Sequence, residues 1–160
     1  KGMKDSLRTG LTFGLTSAVI TTLGLMVGLE SGTKSKLVVL GGVVTIALAD
    51  AFSDALGIHV SEEAEGVHTN RQVWSATLTT FLAKSAFALT FVIPVLVLPL
   101  TIAVIASVAW GFLVLAVLSY LMARAQEKAP WKMIGEHLLI AAVVIVVTYW
   151  VGEWVASFTP

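Results

Sequence analysis

The chain has 160 residues, of which 57% are hydrophobic and only 12% charged, with ten basic residues against ten acidic ones. A soluble domain carries about twice that charge, and balanced, dispersed charge excludes a basic surface of the kind that tracks nucleic acid. The absence of cysteine excludes disulfides, thiolate metal sites and a cysteine nucleophile.

Apolar runs predict helices over residues 9–29, 36–60, 74–97, 100–123 and 134–158, each long enough to cross roughly 30 Å of hydrocarbon. The expected fold class is therefore all-α, a polytopic membrane protein in which residues 1–160 form a single five-helix transmembrane domain. The polar, basic stretch from Lys1 to Arg8 runs straight into the first span, so no cleavable signal peptide is expected. In that span, Gly10 with Gly14 and Gly24 with Gly28 make two small-xxx-small pairs. They permit close helix approach, either within the fold or across a dimer.

The second span holds Asp50 and Asp54, four residues apart and so on one face. Lys84 lies in the third. Ionisable side chains inside a span cost several kcal/mol unless they are paired or face water, which makes these three functional candidates. Counted from span ends near Val60 and Trp74, Asp50 and Lys84 have equal depth, about 15 Å at the helical rise. A buried pair is expected, either as packing charge that neutralises itself or as part of a proton-coupling site. Asp54, about 9 Å deep on the same count and without an evident lysine of its own, is expected to be the freer carboxylate. Two carboxylates at one place suit a hard or borderline divalent cation, for which protons can compete.

Between the second and third spans, residues 59–68 carry His59, Glu62, Glu63, Glu65 and His68. The stretch reads either as a loop that collects divalent cations or as an ordinary solvated loop, since its spacing matches no specific metal motif. The run from Trp74 to Ala123 is too long for one crossing, and Pro94 and Pro99 bracket a turn between spans three and four. In the fifth, His137 and Glu153 read as interfacial.

With the N-terminus on one side, that side collects Lys1, Lys4, Arg8, Arg71, Arg124, Lys128 and Lys132, and the other only Lys34 and Lys36. The excess places the N-terminus in the cytosol. Trp74, Tyr120 and Trp131 then fall at one interface and Tyr149, Trp150 and Trp154 at the other, as an aromatic belt requires.

Gly10-Leu11-Thr12-Phe13-Gly14-Leu15-Thr16 resembles the first-helix motif Gly-Leu-Thr-Asp-Gly-Leu-Thr of the vacuolar iron transporters and their microbial relatives. Ala51-Phe52-Ser53-Asp54-Ala55-Leu56-Gly57 resembles their second-helix Ala-Ile-Ser-Met-Gly-Leu-Gly, and Ile93-Pro94, Pro99 and the segment Val147 to Gly152 are similar to their third and last helices. The resemblance covers nearly the whole chain. It implies a proton-coupled exporter of ferrous iron or manganese, those ions being substrate and no cofactor being bound permanently. It also implies a homodimer built around helices 1 and 2, in a cell membrane or, in a eukaryote, the membrane of a vacuole or other organelle. Three departures bear on the metal. Phe13 stands at the family's first-helix Asp, Ile46 at its second-helix Glu, and Asp54 at its ligand Met. The family's long cytosolic insertion is reduced to the short acidic stretch after His59. Asp50 lies one turn from Ile46 on the same stripe, and carboxylate in place of thioether favours harder ions such as manganese. No metal-protease motif, nucleophile elbow or phosphate loop is present, so an enzyme is not expected. The alternative to transport is an accessory membrane subunit that kept the fold and lost the pathway.

Overall fold

The structure, a computed structural model, describes residues 2–158; Lys1, counted above among the basic flanks, lies outside them. The protein is all-helical, with elements α1 (Met3–Thr33), α2 (Lys36–Glu65), α3 (Asn70–Thr90), α4 (Val92–Val97), α5 (Leu100–Ala125) and α6 (Pro130–Ala156). α3 and α4 together make one crossing, giving five candidate spans: Met3–Thr33, Lys36–Glu65, Asn70–Val97, Leu100–Ala125 and Pro130–Ala156. Exposed Leu, Val, Ile, Phe and Trp side chains run along the four outer spans, a surface that only lipid solvates well. This is an integral membrane protein.

All five spans extend beyond the apolar runs that announce them at one end or both, because local caps rather than hydropathy set the ends. Asp5 Oδ2 accepts from Gly2 N–H at 3.0 Å and starts α1 six residues before Thr9. α2 continues past Val60 through Ser61-Glu62-Glu63-Ala64-Glu65, good helix formers, and stops at Gly66 in the left-handed conformation (φ 65°). Thr69 and Gln72 form the N-terminal cap of α3, four residues ahead of Trp74. The third span is also not one continuous helix. Pro94 has no N–H for the Thr90 carbonyl, and the helix breaks at Phe91 (ψ −14°) before α4 resumes it. The reversal expected between Pro94 and Pro99 occurs at Leu98–Pro99. Lys36 Nζ donates to the Leu96 and Leu98 carbonyls at 3.0 and 3.1 Å, which satisfies the open end of α4.

α1 lies at the centre, packed against α2, α3, α5 and α6. Its glycines are the reason it fits there. A Cβ on Gly14 would stand 2.8 Å from the Thr80 carbonyl of α3, and one on Gly28 would stand 3.2 Å from the Thr148 carbonyl of α6. Both small-xxx-small pairs therefore serve approach within the chain, which settles one of the two uses open to them from sequence. Lys34 lies 3.8 Å from Glu153, so the α1–α2 turn and the end of α6 share one end of the bundle. Glu153 is half-exposed there, and His137 packs inward to Ser119 of α5 at 2.7 Å.

Candidate functional site

α1, α2 and α3 meet at Lys84, whose side chain is 1% exposed. Its ammonium is held by three oxygens from two other helices. Asp50 Oδ2 lies 2.5 Å from Nζ, although not aligned as a hydrogen bond. Ser17 Oγ accepts from Nζ at 2.8 Å, and Asp54 Oδ2 is paired with the same ammonium. Ser17 in turn donates to Asp54 Oδ2 at 2.6 Å. The i,i+4 spacing stacks the two carboxylates on one stripe of α2. Ala47, Ala51 and Ala55, all buried, are small enough to let α2 lie close to its neighbours.

Asp54 is thus not the freer carboxylate that depth alone suggested. One long lysine side chain spans a helical turn and serves both acids, so matching Asp50 in depth does not keep Lys84 from Asp54. The depths themselves also increase, since α2 runs to Glu65 and α3 starts at Asn70. Asp50 lies fifteen residues from the first and Lys84 fourteen from the second, so their levels still match.

Two carboxylates and one ammonium leave one negative charge. The acids are also incompletely covered, with the Asp50 side chain 27% and the Asp54 side chain 21% exposed on a helix that otherwise presents Leu48, Phe52 and Leu56 outward. A groove of about 500 Å³ between α1 and α2, lined by Leu25, Leu29, Gly42, Thr45 and Ile46, ends on Asp50. Phe13 is exposed on α1 one turn before Ser17. Ser17 was not singled out from sequence. The available signal was its position four residues after Phe13, on the face where the resembled family has its first-helix acid.

The five residues of the 59–68 stretch do not form one group. His59, Glu62, Glu63 and Glu65 belong to the last turns of α2, not to a loop, because the helix continues to the Gly66 cap. His59 Nδ1 is 2.9 Å from Thr77 Oγ1, its Nε2 is 3.4 Å from Glu63, and its ring meets Trp74 edge-on at 4.8 Å. Glu62 and Glu65 meet His68, which lies in the turn between α2 and α3, with one donor atom from each within 4.8 Å of the others. Comparison with known proteins adds no assignment: no protein-family model matches the chain, and no curated protein matches it in sequence.

Proposed function

We propose that the protein carries divalent cations, iron or manganese, out of the cytosol in exchange for protons, through the Ser17–Asp50–Asp54–Lys84 site. The observation that carries this reading is the ammonium of Lys84 enclosed by two carboxylates and a hydroxyl deep in a membrane bundle. Those oxygens are the ligand set of a hard divalent cation, and the ammonium occupies the place such an ion would take. An arriving ion that displaces the lysine, with one proton leaving Nζ, takes the cluster from one negative charge to none. Charge balance in a low-dielectric site thereby couples ion entry to proton release.

The excess of basic residues around the N-terminal side orients that end toward the cytosol. The resemblance to vacuolar iron transporters supports the same substrate class, and the carboxylate of Asp54 at the thioether position favours manganese. A second copy packed on α1 and α2 would cover the exposed parts of Asp50 and Asp54, which lipid alone solvates poorly; this supports a homodimer. The accessory-subunit reading draws on the same lysine, because an ammonium that engages all three oxygens permanently would be a packing device.

Flux decides between them. Purified protein in liposomes is expected to admit Mn²⁺ or Fe²⁺ with counter-movement of protons, and Asp54→Asn is expected to abolish the flux while the protein still folds. Asp54→Met is expected to shift preference toward softer ions. Equal flux in the parent and Asp54→Asn would remove the site, and no flux in the parent would favour the accessory subunit.

A further inference from the structure

The turn between α5 and α6 bounds a recess of about 370 Å³, lined by Lys128, Ala129, Lys132, Met133 and Glu136. Its shape follows from how α5 ends. Glu127 stands in the left-handed region (φ 55°) and the Lys128 N–H returns to the Ala123 carbonyl at 3.0 Å, a closure that reverses the chain and sets Lys128 beside the first turns of α6. Lys132 and Glu136 follow on one face of that helix at four-residue spacing. Two ammonium groups therefore meet one carboxylate. The Lys132–Glu136 contact is 4.0 Å long between side chains 81% and 59% exposed, a pairing of at most about 1 kcal/mol, and Lys128 pairs with no carboxylate among the described residues. The recess keeps a net positive charge, to which Arg124 in the last turn of α5 adds; Glu127 does not line it. α6 also starts without a side-chain acceptor for its first N–H groups, which strengthens the positive field at the turn.

We propose that this recess binds the headgroup of an anionic phospholipid, a singly charged phosphodiester that also carries a hydrogen-bond donor. Lysine holds phosphate as a point charge without a fixed geometry, and Lys128 and Lys132 supply two such charges. The carboxylate of Glu136 then selects among anions. It repels a second phosphate charge and accepts from a hydroxyl or an ammonium, which suits the headgroups of phosphatidylglycerol and phosphatidylserine. The placement favours a lipid over free phosphate as the source. The turn joins two spans, so it lies where the membrane meets water. Trp131, 79% exposed at the start of α6, and Tyr120, exposed on α5, are side chains that settle at headgroup depth. Met133 gives the recess an apolar wall for the glycerol backbone. On the orientation proposed above, the turn faces the cytosolic leaflet, whose anionic lipids attract lysines placed beside a span.

The test is titration of the full chain, purified in a neutral detergent, with short-chain phosphatidylglycerol, phosphatidylcholine of the same chain length and inorganic phosphate. Bound mass is read by native mass spectrometry and the shift in unfolding temperature beside it. Phosphatidylglycerol is expected to bind saturably, and the other two more weakly. Lys128→Gln and Lys132→Gln are each expected to weaken that binding about fivefold, the scale for one basic side chain at an anionic membrane surface. Both should fold as the parent does, since both lysines are exposed. Lys4→Gln, which removes an exposed cation from α1, is expected to leave binding unchanged. Glu136→Gln is expected to raise affinity for doubly charged phosphatidic acid more than for phosphatidylglycerol. Unchanged binding in the double Lys128→Gln, Lys132→Gln variant, an equal loss in Lys4→Gln, or inorganic phosphate bound as tightly as phosphatidylglycerol would overturn the site.

Discussion

The two acidic clusters on α2 use the same functional group at similar spacing and meet opposite surroundings. Asp50 and Asp54 share a buried ammonium and a hydroxyl supplied by α3 and α1. Glu62 and Glu65 both approach Nε2 of His68, at 3.3 and 3.1 Å, and one oxygen of Glu62 accepts no hydrogen bond among the described residues. Inside the membrane the chain carries its own counter-charge, because an unpaired carboxylate in hydrocarbon is too costly to be left waiting for an ion. At the helix end, near water, a carboxylate keeps part of its hydration and needs no internal lysine. The difference predicts that removing the internal cation costs the membrane cluster far more than removing a carboxylate costs the end of α2.

The comparison breaks most readily at Lys84. Lys84→Met leaves two carboxylates facing each other without a cation, and a loss of about 3–5 kcal/mol is expected, the scale for an uncompensated buried charge. The unfolding temperature in detergent measures it. Asp50→Asn should cost less, about 1–3 kcal/mol, since Asp54 and Ser17 still hold the ammonium. The double variant should recover part of the Lys84→Met loss, whereas strictly additive effects would mean that the two side chains do not interact.

Ser17→Ala sharpens the role of the hydroxyl, which both accepts from Lys84 and donates to Asp54. Its loss should lower stability by about 1.5–3 kcal/mol, the range for hydrogen bonds to charged groups, and Ser17→Thr should restore most of it. At the far end of α2, Glu63→Gln should change stability by no more than about 0.5 kcal/mol, because its pairing with His59 is solvent-exposed. A large effect there would mean that the terminal acids act as one undivided group. The triple change Glu62, Glu63 and Glu65 to Gln should weaken the apparent affinity for transported ion with little change in maximal rate, since a collecting site raises local concentration without lying on the barrier.

What the sequence determined by itself was the class of solvent and the number of crossings, because twenty-residue apolar runs have few alternatives in water. It also gave the equal depth of Asp50 and Lys84, since a helix converts residue number into height at a constant 1.5 Å. Helix ends were less legible, being set by single capping contacts such as Gly2 with Asp5 and by one left-handed glycine at 66. The sharing of one ammonium by Asp50 and Asp54, the arrival of Ser17, the burial of Glu62 and the separation of His59 from His68 were decided only by tertiary structure. Periodicity tells which side chains share a face of one helix. Which face of a second helix lies opposite depends on packing among all of them, here on the glycines that let α1 approach α3 and α6.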